Sequence, residues 1–143
     1  MPIEDDAGLA ELLGSSRTIA VVGASDRPER ASFGVMRFLL ERGWEVIPVN
    51  PRLAGGEILG QPVLGSLAEI DEPIDIVDVF RRSEEVAPVV EEAIAAGAKA
   101  VWLQLGVYDD AAVTRAEAAG LRAVADRCIK IDAARLEVRP SSA

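Results

Sequence analysis

The sequence contains no histidine and only one cysteine, Cys128. Without histidine, the chain cannot assemble a Ser-His-Asp triad, a histidine-ligated zinc site or a phosphohistidine. A single cysteine also excludes an internal disulfide and a cysteine-cluster metal site. This cysteine content is typical of a reducing compartment, so we expect a cytoplasmic protein without a metal centre of these kinds.

The sequence is also short of positive charge and of long apolar runs. It has 15 lysine and arginine residues against 24 aspartate and glutamate residues, and its net charge is -9 at pH 7. Nucleic acids and anionic lipid surfaces are polyanions that bind through lysine and arginine, so we expect neither as a partner. No apolar run approaches ~18 residues, and the N-terminus is acidic where a signal peptide would be basic. The sequence therefore predicts no membrane segment.

The chain length of 143 residues, half of them apolar, suffices for one domain with one core. We expect this domain to span residues 1–143, with an N-terminal helix within 1–16 and a frayed tail at 139–143. No linker or fixed-period repeat divides it.

Short apolar runs alternate with amphipathic segments along most of the chain. The predicted strands are 18–22, 44–49, a weak third one at 62–64, then 74–80, 100–103 and 121–125. The predicted helices are 4–14, 32–42 with Ser32 as N-cap, 87–97, 109–119, and a last one after Asp132. This alternation implies right-handed crossovers and a parallel sheet covered on both faces. We predict a doubly wound, Rossmann-like, three-layer α/β/α domain with strand order 3-2-1-4-5-6.

The stretch 18–32, TIAVVGASDRPERAS, reads as a buried strand, a polar loop and the start of a helix. A helix that begins directly after such a strand presents free N–H groups to an anion, which indicates a phosphate site. An ordinary tight turn after the first strand is the alternative.

Arginines favour the phosphate interpretation. Five of the fifteen basic residues fall in the loops that follow predicted strands one, two and four: Arg27, Arg30, Arg52, Arg81 and Arg82. The carboxyl ends of parallel strands share one edge of the sheet, where ligands of such folds bind. In an acidic protein, this local positive charge predicts an anionic ligand.

Classical dinucleotide and ATP motifs are absent. Counting from Gly23, Ser25 and Pro28 stand at the second and third glycine positions of G-x-G-x-x-G. Strand two ends in Asn50, with Arg52 close behind, where an NAD site would have an acidic residue. No GK[ST] sequence follows the first strand either, so classical NAD and ATP sites are disfavoured.

Six ordered motifs carry a resemblance to a known family. They are VVGAS at 21–25, then Pro28, Arg30 and Ser32, PVNP at 48–51, DIVDVFR at 75–81, VWLQLG at 101–106 and ADRCIKI at 125–131. Together they resemble the small stand-alone CoA-binding proteins, whose fold is similar to the N-terminal domain of the succinyl-CoA synthetase α subunit. That enzyme uses a phosphohistidine in a second domain, so its activity does not carry over to a chain without histidine.

The resemblance implies a coenzyme A site at the carboxyl edge of the sheet. The N–H groups of Gly23, Ala24 and Ser25, with the helix start from Arg30 to Ser32, would hold the pyrophosphate. Asn50, Pro51 and Arg52 would contact the adenosine and its 3′-phosphate, Phe80 and Arg81 would flank the nucleotide or pantetheine, and Gln104 and Gly106 would line the pantetheine path. The family often has lysine where Arg27 stands here.

Three functions follow as alternatives. The first is a module that binds CoA or an acyl-CoA as carrier, sensor or regulatory subunit, without independent catalysis. The others are an NADP-dependent oxidoreductase with an unusual site, and an interaction protein with a vestigial nucleotide pocket. Asp75 and Asp78 differ by three positions on a strand and so face opposite sides, which disfavours a catalytic carboxylate pair. We expect Trp102 in the core, and Cys128 as a small buried apolar residue or a reactive thiol.

Overall fold

Five parallel strands form the central sheet of the computed structural model, which describes residues 1–142. Its strands are β1 (Thr18–Val22), β2 (Glu45–Val49), β5 (Ile76–Val79), β6 (Ala100–Leu103) and β7 (Arg122–Val124). Two further short strands, β3 (Glu57–Ile58) and β4 (Gln61–Pro62), lie outside this sheet. The helices are α1 (Asp6–Gly14), α2 (Ala31–Arg42), α3 (Val86–Ala95), α4 (Asp110–Ala118) and α5 (Ile129–Arg135). The sheet order is β2-β1-β5-β6-β7, and the predicted Rossmann-like α/β/α fold is confirmed.

The strands are apolar on both faces because helices cover both sides of the sheet. Ile19, Ile76 and Trp102 pack on one face with the apolar residues of α1, α2 and α5. Ala20 and Val77 pack on the other face with those of α3 and α4. Every residue of β1 is buried, as its interior position between β2 and β5 requires.

The third predicted strand does not join the sheet as a full member. The segment instead turns back on itself, and β3 pairs with β4 in a separate antiparallel hairpin. Leu59 and Gly60 form its two-residue loop with φ of 50° and 80°, the backbone twist that suits a tight hairpin. Only a single parallel bridge between Val49 and Leu64 remains at the expected edge position.

The predicted helix starts differ from the observed ones by one to several residues. Helix α2 begins at Ala31 with Arg30 as its N-cap, so Ser32 lies in the first turn. Helix α5 begins at Ile129 and contains Asp132, which the sequence prediction placed before the helix. Asp132 is buried there, and it pairs with Arg127 and Arg135 through its carboxylate.

Both ends of the described chain attach to the domain. The N–H of Ile3 donates to the carbonyl of Ala123 beside β7, at 2.8 Å. In the tail that we expected to fray, the N–H of Ser141 donates to the carbonyl of Ser16 at 2.9 Å, while residue 143 lies outside the described residues. Within residues 1–142, no helix has the length and apolar character needed to cross a bilayer.

Candidate functional site

A cavity of about 710 Å³ opens at the carboxyl edge of the sheet, within the range of about 300 to 1,000 Å³ typical of small-molecule sites. Ten of the twelve predicted site residues line it: Gly23, Ala24, Ser25, Arg30, Ser32, Asn50, Arg52, Phe80, Arg81 and Gln104. Pro51 and Gly106 are not among its lining residues. Gly106 instead has φ of 85°, and its N–H donates to Asp126 Oδ1 at 2.7 Å.

The glycine loop after β1 is fastened to β2. The N–H groups of Gly23 and Ala24 both donate to the carbonyl of Val49, at 3.0 and 3.4 Å. The expectation that these two N–H groups face a pyrophosphate is therefore corrected, because they are engaged inside the protein. The Ser25 N–H has no acceptor in the part of the chain that the structure describes, and the Ser25 hydroxyl accepts from the N–H of Arg27 at 3.1 Å.

The N-terminus of α2 faces the cavity with unsatisfied donors. No side chain caps this helix, and within residues 1–142 the N–H groups of Ala31 and Ser32 find no acceptor. Ser32 lines the cavity and is only 5% exposed. Its hydroxyl likewise makes no hydrogen bond to any described residue. A helix start of this kind is suited to an anion.

Asn50 braces the ends of β1 and β2. Its Nδ2 donates to the carbonyl of Ala24 at 2.8 Å, and its Oδ1 accepts from the N–H of Arg52 at 2.9 Å. Both ends of the side-chain amide are thus used within the protein. The geometry assigns Asn50 to holding the glycine loop and the Arg52 backbone in place.

Four arginines line the cavity, namely Arg27, Arg30, Arg52 and Arg81. Within residues 1–142, none of them has a carboxylate within 4.0 Å, whereas Arg82 pairs with Glu85 at 2.9 Å and is not part of the lining. Unpaired guanidinium groups around one cavity attract phosphate or carboxylate. The structure thus places four of the five arginines that the sequence analysis singled out around one cavity.

The lining residues that follow β6 and β7 in the cavity carry no charge. They include Leu105, Val107 and Ile131, together with Cys128. Gln104 is 5% exposed, and its Oε1 accepts from the N–H of Ile129 at 3.1 Å. The sequence analysis did not assign Cys128 or Ile131 to the site, although both follow β7 at the same edge of the sheet, and that position was the available signal.

The two aspartates of the fourth predicted strand are separate structural features. Asp75 accepts hydrogen bonds from the N–H groups of Arg17 and Thr18, at 2.7 and 3.0 Å, and pairs with Lys99 at 3.3 Å. Burial alone would raise the pKa of Asp75, but these contacts outweigh it and lower the pKa. Asp78 is fully buried without a hydrogen-bond partner in the described chain, and burial raises its pKa well above the usual range.

Trp102 is fully buried, as predicted, and its Nε1 donates to the carbonyl of Arg127 at 2.9 Å. This bond connects β6 to the segment that leads into α5. That segment carries Cys128 to the wall of the cavity.

Known proteins are similar to this chain in sequence and in architecture. The chain is 44% identical over 125 residues to the uncharacterized protein YneT of Bacillus subtilis (strain 168). This alignment covers 87% of the present chain and 91% of that protein. A solved structure of a hypothetical protein from Pyrococcus horikoshii OT3 superposes with a TM-score of 0.90 and 40% identity, and the match covers 96% of each chain.

A longer protein is also similar. The chain is 33% identical over 95 residues to the acetate–CoA ligase (ADP-forming) I subunit alpha of Pyrococcus furiosus. This alignment covers 64% of the present chain but only 21% of that subunit. A family model described as the CoA binding domain matches residues 17–134, a range that contains the whole cavity lining. By fold, cavity and sequence, the chain belongs to the CoA binding domain family.

Proposed function

We propose that the protein binds coenzyme A or an acyl-CoA in this cavity, and that it acts as a carrier, sensor or regulatory module without independent catalysis. The observation that carries the proposal is the polarity of the cavity. Four arginines without a carboxylate partner among residues 1–142 follow β1, β2 and β5, where α2 also begins, and Leu105, Val107 and Ile131 contribute apolar surface after β6 and β7. Coenzyme A has the same polarity, because its phosphates are at one end and its uncharged pantetheine arm is at the other.

The proposed pose follows from the donors that the protein leaves free. The diphosphate would lie at the start of α2, against the Ser25 and Ser32 N–H groups and the Ser32 hydroxyl. Arg52 would meet the 3′-phosphate, because it stands after β2, where a nucleotide ribose lies in folds of this kind. The pantetheine arm would then run past Phe80 and Gln104. Gly23, Ala24 and Asn50 would support this site by shaping the loop.

The lining supports a binding role in preference to a catalytic one. Among the described residues it contains no aspartate, glutamate, lysine or tyrosine that could act as a general acid or base. The name of the Pyrococcus furiosus relative contains acetate–CoA ligase, which is consistent with a CoA ligand here. That relative is much longer, so its reaction is not part of this proposal.

Calorimetric titration with CoA, acetyl-CoA, NADP and NAD tests the proposed ligand. We expect a micromolar dissociation constant for CoA, which corresponds to about -8 kcal/mol, and no measurable binding of NAD. Tighter binding of NADP than of CoA would favour an oxidoreductase. Failure of all four ligands to bind a folded protein would favour a vestigial pocket with an interaction role.

A further inference from the structure

The cavity lining follows the strand order across the edge of the sheet. Asn50 follows β2, Gly23 follows β1, Phe80 follows β5, Gln104 follows β6, and Cys128 lies in the segment after β7. The phosphate-binding features and Cys128 therefore line one continuous cavity.

The pantetheine arm of CoA is long enough to reach from the end of β1 to Cys128. Cys128 lies beside β6, because the N–H of Arg127 donates to the carbonyl of Leu103 at 3.3 Å and Trp102 Nε1 donates to the carbonyl of Arg127. Neighbouring strands are about 4.8 Å apart, so the two strand spacings from β1 to β6 amount to about 10 Å. The pantetheine arm has about twelve bonds between its phosphate-ester oxygen and its sulfur, as many as four extended residues, which span about 14 Å. A diphosphate held at the start of α2 would therefore allow the sulfur to reach Cys128.

Gln104 provides an independent indication that a ligand belongs at this end. Gln104 is only 5% exposed and lines the cavity. Its Oε1 accepts a hydrogen bond from the N–H of Ile129, the residue after Cys128. Its Nε2 finds no acceptor within residues 1–142. Because Gln104 lines the cavity, this donor suits a carbonyl of the ligand, and the pantetheine arm carries two amide carbonyls.

Cys128 is accessible from the cavity. Its side chain is a free thiol of intermediate exposure, and it lines the cavity with Leu105 and Ile131, which are 64% and 57% exposed. A thiol in this position can meet a second sulfur that enters along the pantetheine path.

We infer that Cys128 is a thiol–disulfide exchange site for coenzyme A, and that the protein captures CoA covalently when CoA is oxidised. The thiolate of Cys128 attacks one sulfur of a CoA disulfide. A Cys128–CoA disulfide forms, the original S–S bond breaks, and the second CoA leaves as a thiolate that takes up the proton released by Cys128. The CoA disulfide is the oxidant, and the Cys128 thiol is oxidised. The inference rests on the proposed function, because CoA must first occupy the cavity.

Intact-protein mass spectrometry during incubation with CoA disulfide tests the inference. We expect one CoA adduct per chain, reversed by a reducing agent and absent from Cys128→Ser. The rate should saturate with CoA disulfide and be at least tenfold faster than with glutathione disulfide at the same concentration. Desulfo-CoA, which lacks the reacting sulfur, should slow the reaction with CoA disulfide by occupying the cavity.

Titration of wild type and Cys128→Ser with reduced CoA separates this inference from the proposed function. Binding by both proteins, with no adduct or with equal rates for the two disulfides, would overturn the exchange site and leave the proposed function intact. Loss of reduced-CoA binding in both folded proteins would overturn the proposed function and the exchange site together.

Discussion

A Cβ atom placed on Gly23 would lie 2.1 Å from the carbonyl oxygen of Phe80. The N–H of Phe80 donates to the carbonyl of Val22 at 2.8 Å, which fixes the distance between the ends of β1 and β5. Gly23 also has φ of 87°, a backbone conformation that residues with a Cβ atom rarely adopt. Glycine is therefore required here by the fold itself, independently of any phosphate that approaches the loop.

Gly23→Ala should lower the free energy of unfolding by more than ~2 kcal/mol, because a backbone contact must open in addition to the strain at positive φ. Gly55→Ala is the matched control, since Gly55 has φ of 92° and its added Cβ would meet nothing within 4 Å. We expect that control to lose only about 1 kcal/mol. Urea unfolding at neutral pH measures both. Equal losses of unfolding free energy in the two variants would mean that the contact between the added Cβ and Phe80 does not destabilise the fold.

Arg52→Ala should weaken binding of CoA about tenfold or more and leave dephospho-CoA almost unaffected. An arginine hydrogen-bonded to phosphate contributes ~1.5 to 3 kcal/mol, and ~1.4 kcal/mol corresponds to tenfold in affinity. The loss for CoA should shrink as salt is raised, because screening weakens a partly exposed ion pair. Calorimetric titration with the two ligands measures the difference.

Arg82→Ala is the control for that experiment, because Arg82 also follows a strand at this edge of the sheet but pairs with Glu85 and does not line the cavity. It should leave both affinities unchanged. If Arg52→Ala weakened both ligands equally, Arg52 would belong at the diphosphate. If it weakened neither, Arg52 would be a solvated surface residue.

The free energy of unfolding of Asp78→Asn should rise relative to that of wild type as the pH rises. Burial raises the pKa of Asp78 in the folded state, while the unfolded chain titrates near ~3.9. Between these two values the folded state holds a proton that the unfolded state has lost, so wild-type stability falls with increasing pH in this window. Urea unfolding of both proteins from pH 4 to pH 8 measures the trend, and parallel curves would show that Asp78 does not titrate abnormally.

Asp75→Asn should show the opposite trend. The folded-state pKa of Asp75 is lowered, since its hydrogen bonds from Arg17 and Thr18 and its pair with Lys99 outweigh burial. Its carboxylate therefore stabilises the fold above the unfolded pKa of ~3.9, and this stabilisation disappears as the pH falls through the folded pKa. The variant should be less stable than wild type at pH 7 and close to wild type in strong acid. A deficit that persisted unchanged in strong acid would contradict this assignment.

Asp132→Asn should lower the free energy of unfolding by about 2 kcal/mol at pH 7, because Asp132 is buried and pairs with both Arg127 and Arg135. Glu91→Gln is the control, since the pair of Glu91 with Arg115 is exposed and should contribute only about 0 to 1 kcal/mol. Thermal or urea unfolding compares the two variants. A loss no larger than that of Glu91→Gln would show that the buried pair is not a stabilising one.

Much of the fold could be predicted from the sequence because its signals are local. The β-branched run of β1, the glycine after it and the periodic helix that follows lie within one stretch of about twenty-five residues. Asp109 was predicted at the start of α4, and its side chain caps that helix by accepting from the N–H of Ala112 at 3.0 Å. The lack of histidine likewise excluded a Ser-His-Asp triad, a histidine-ligated zinc site and a phosphohistidine from the sequence alone.

The edge of the sheet was harder to predict, because strand pairing depends on residues that compete over longer distances. The weak apolar segment at 62–64 could have extended the sheet beside β2. The tight loop at Leu59 and Gly60 instead closes a local hairpin, and only the Val49 to Leu64 bridge remains. Closing a short loop costs less chain entropy than extending a sheet with a distant strand.

The sequence by itself determined the alternating parallel architecture, the loop of Gly23 and the arginines at one edge of the sheet, because each is encoded by neighbouring residues. Only the tertiary structure decided how the side chains there are used. There, the N–H groups of Gly23 and Ala24 donate to the carbonyl of Val49, and the cavity arginines have no carboxylate partner among residues 1–142. The fold also brings Cys128 to the same cavity. The physical reason is that a donor or a charge is free or occupied according to partners that are often 25 or more residues away along the chain.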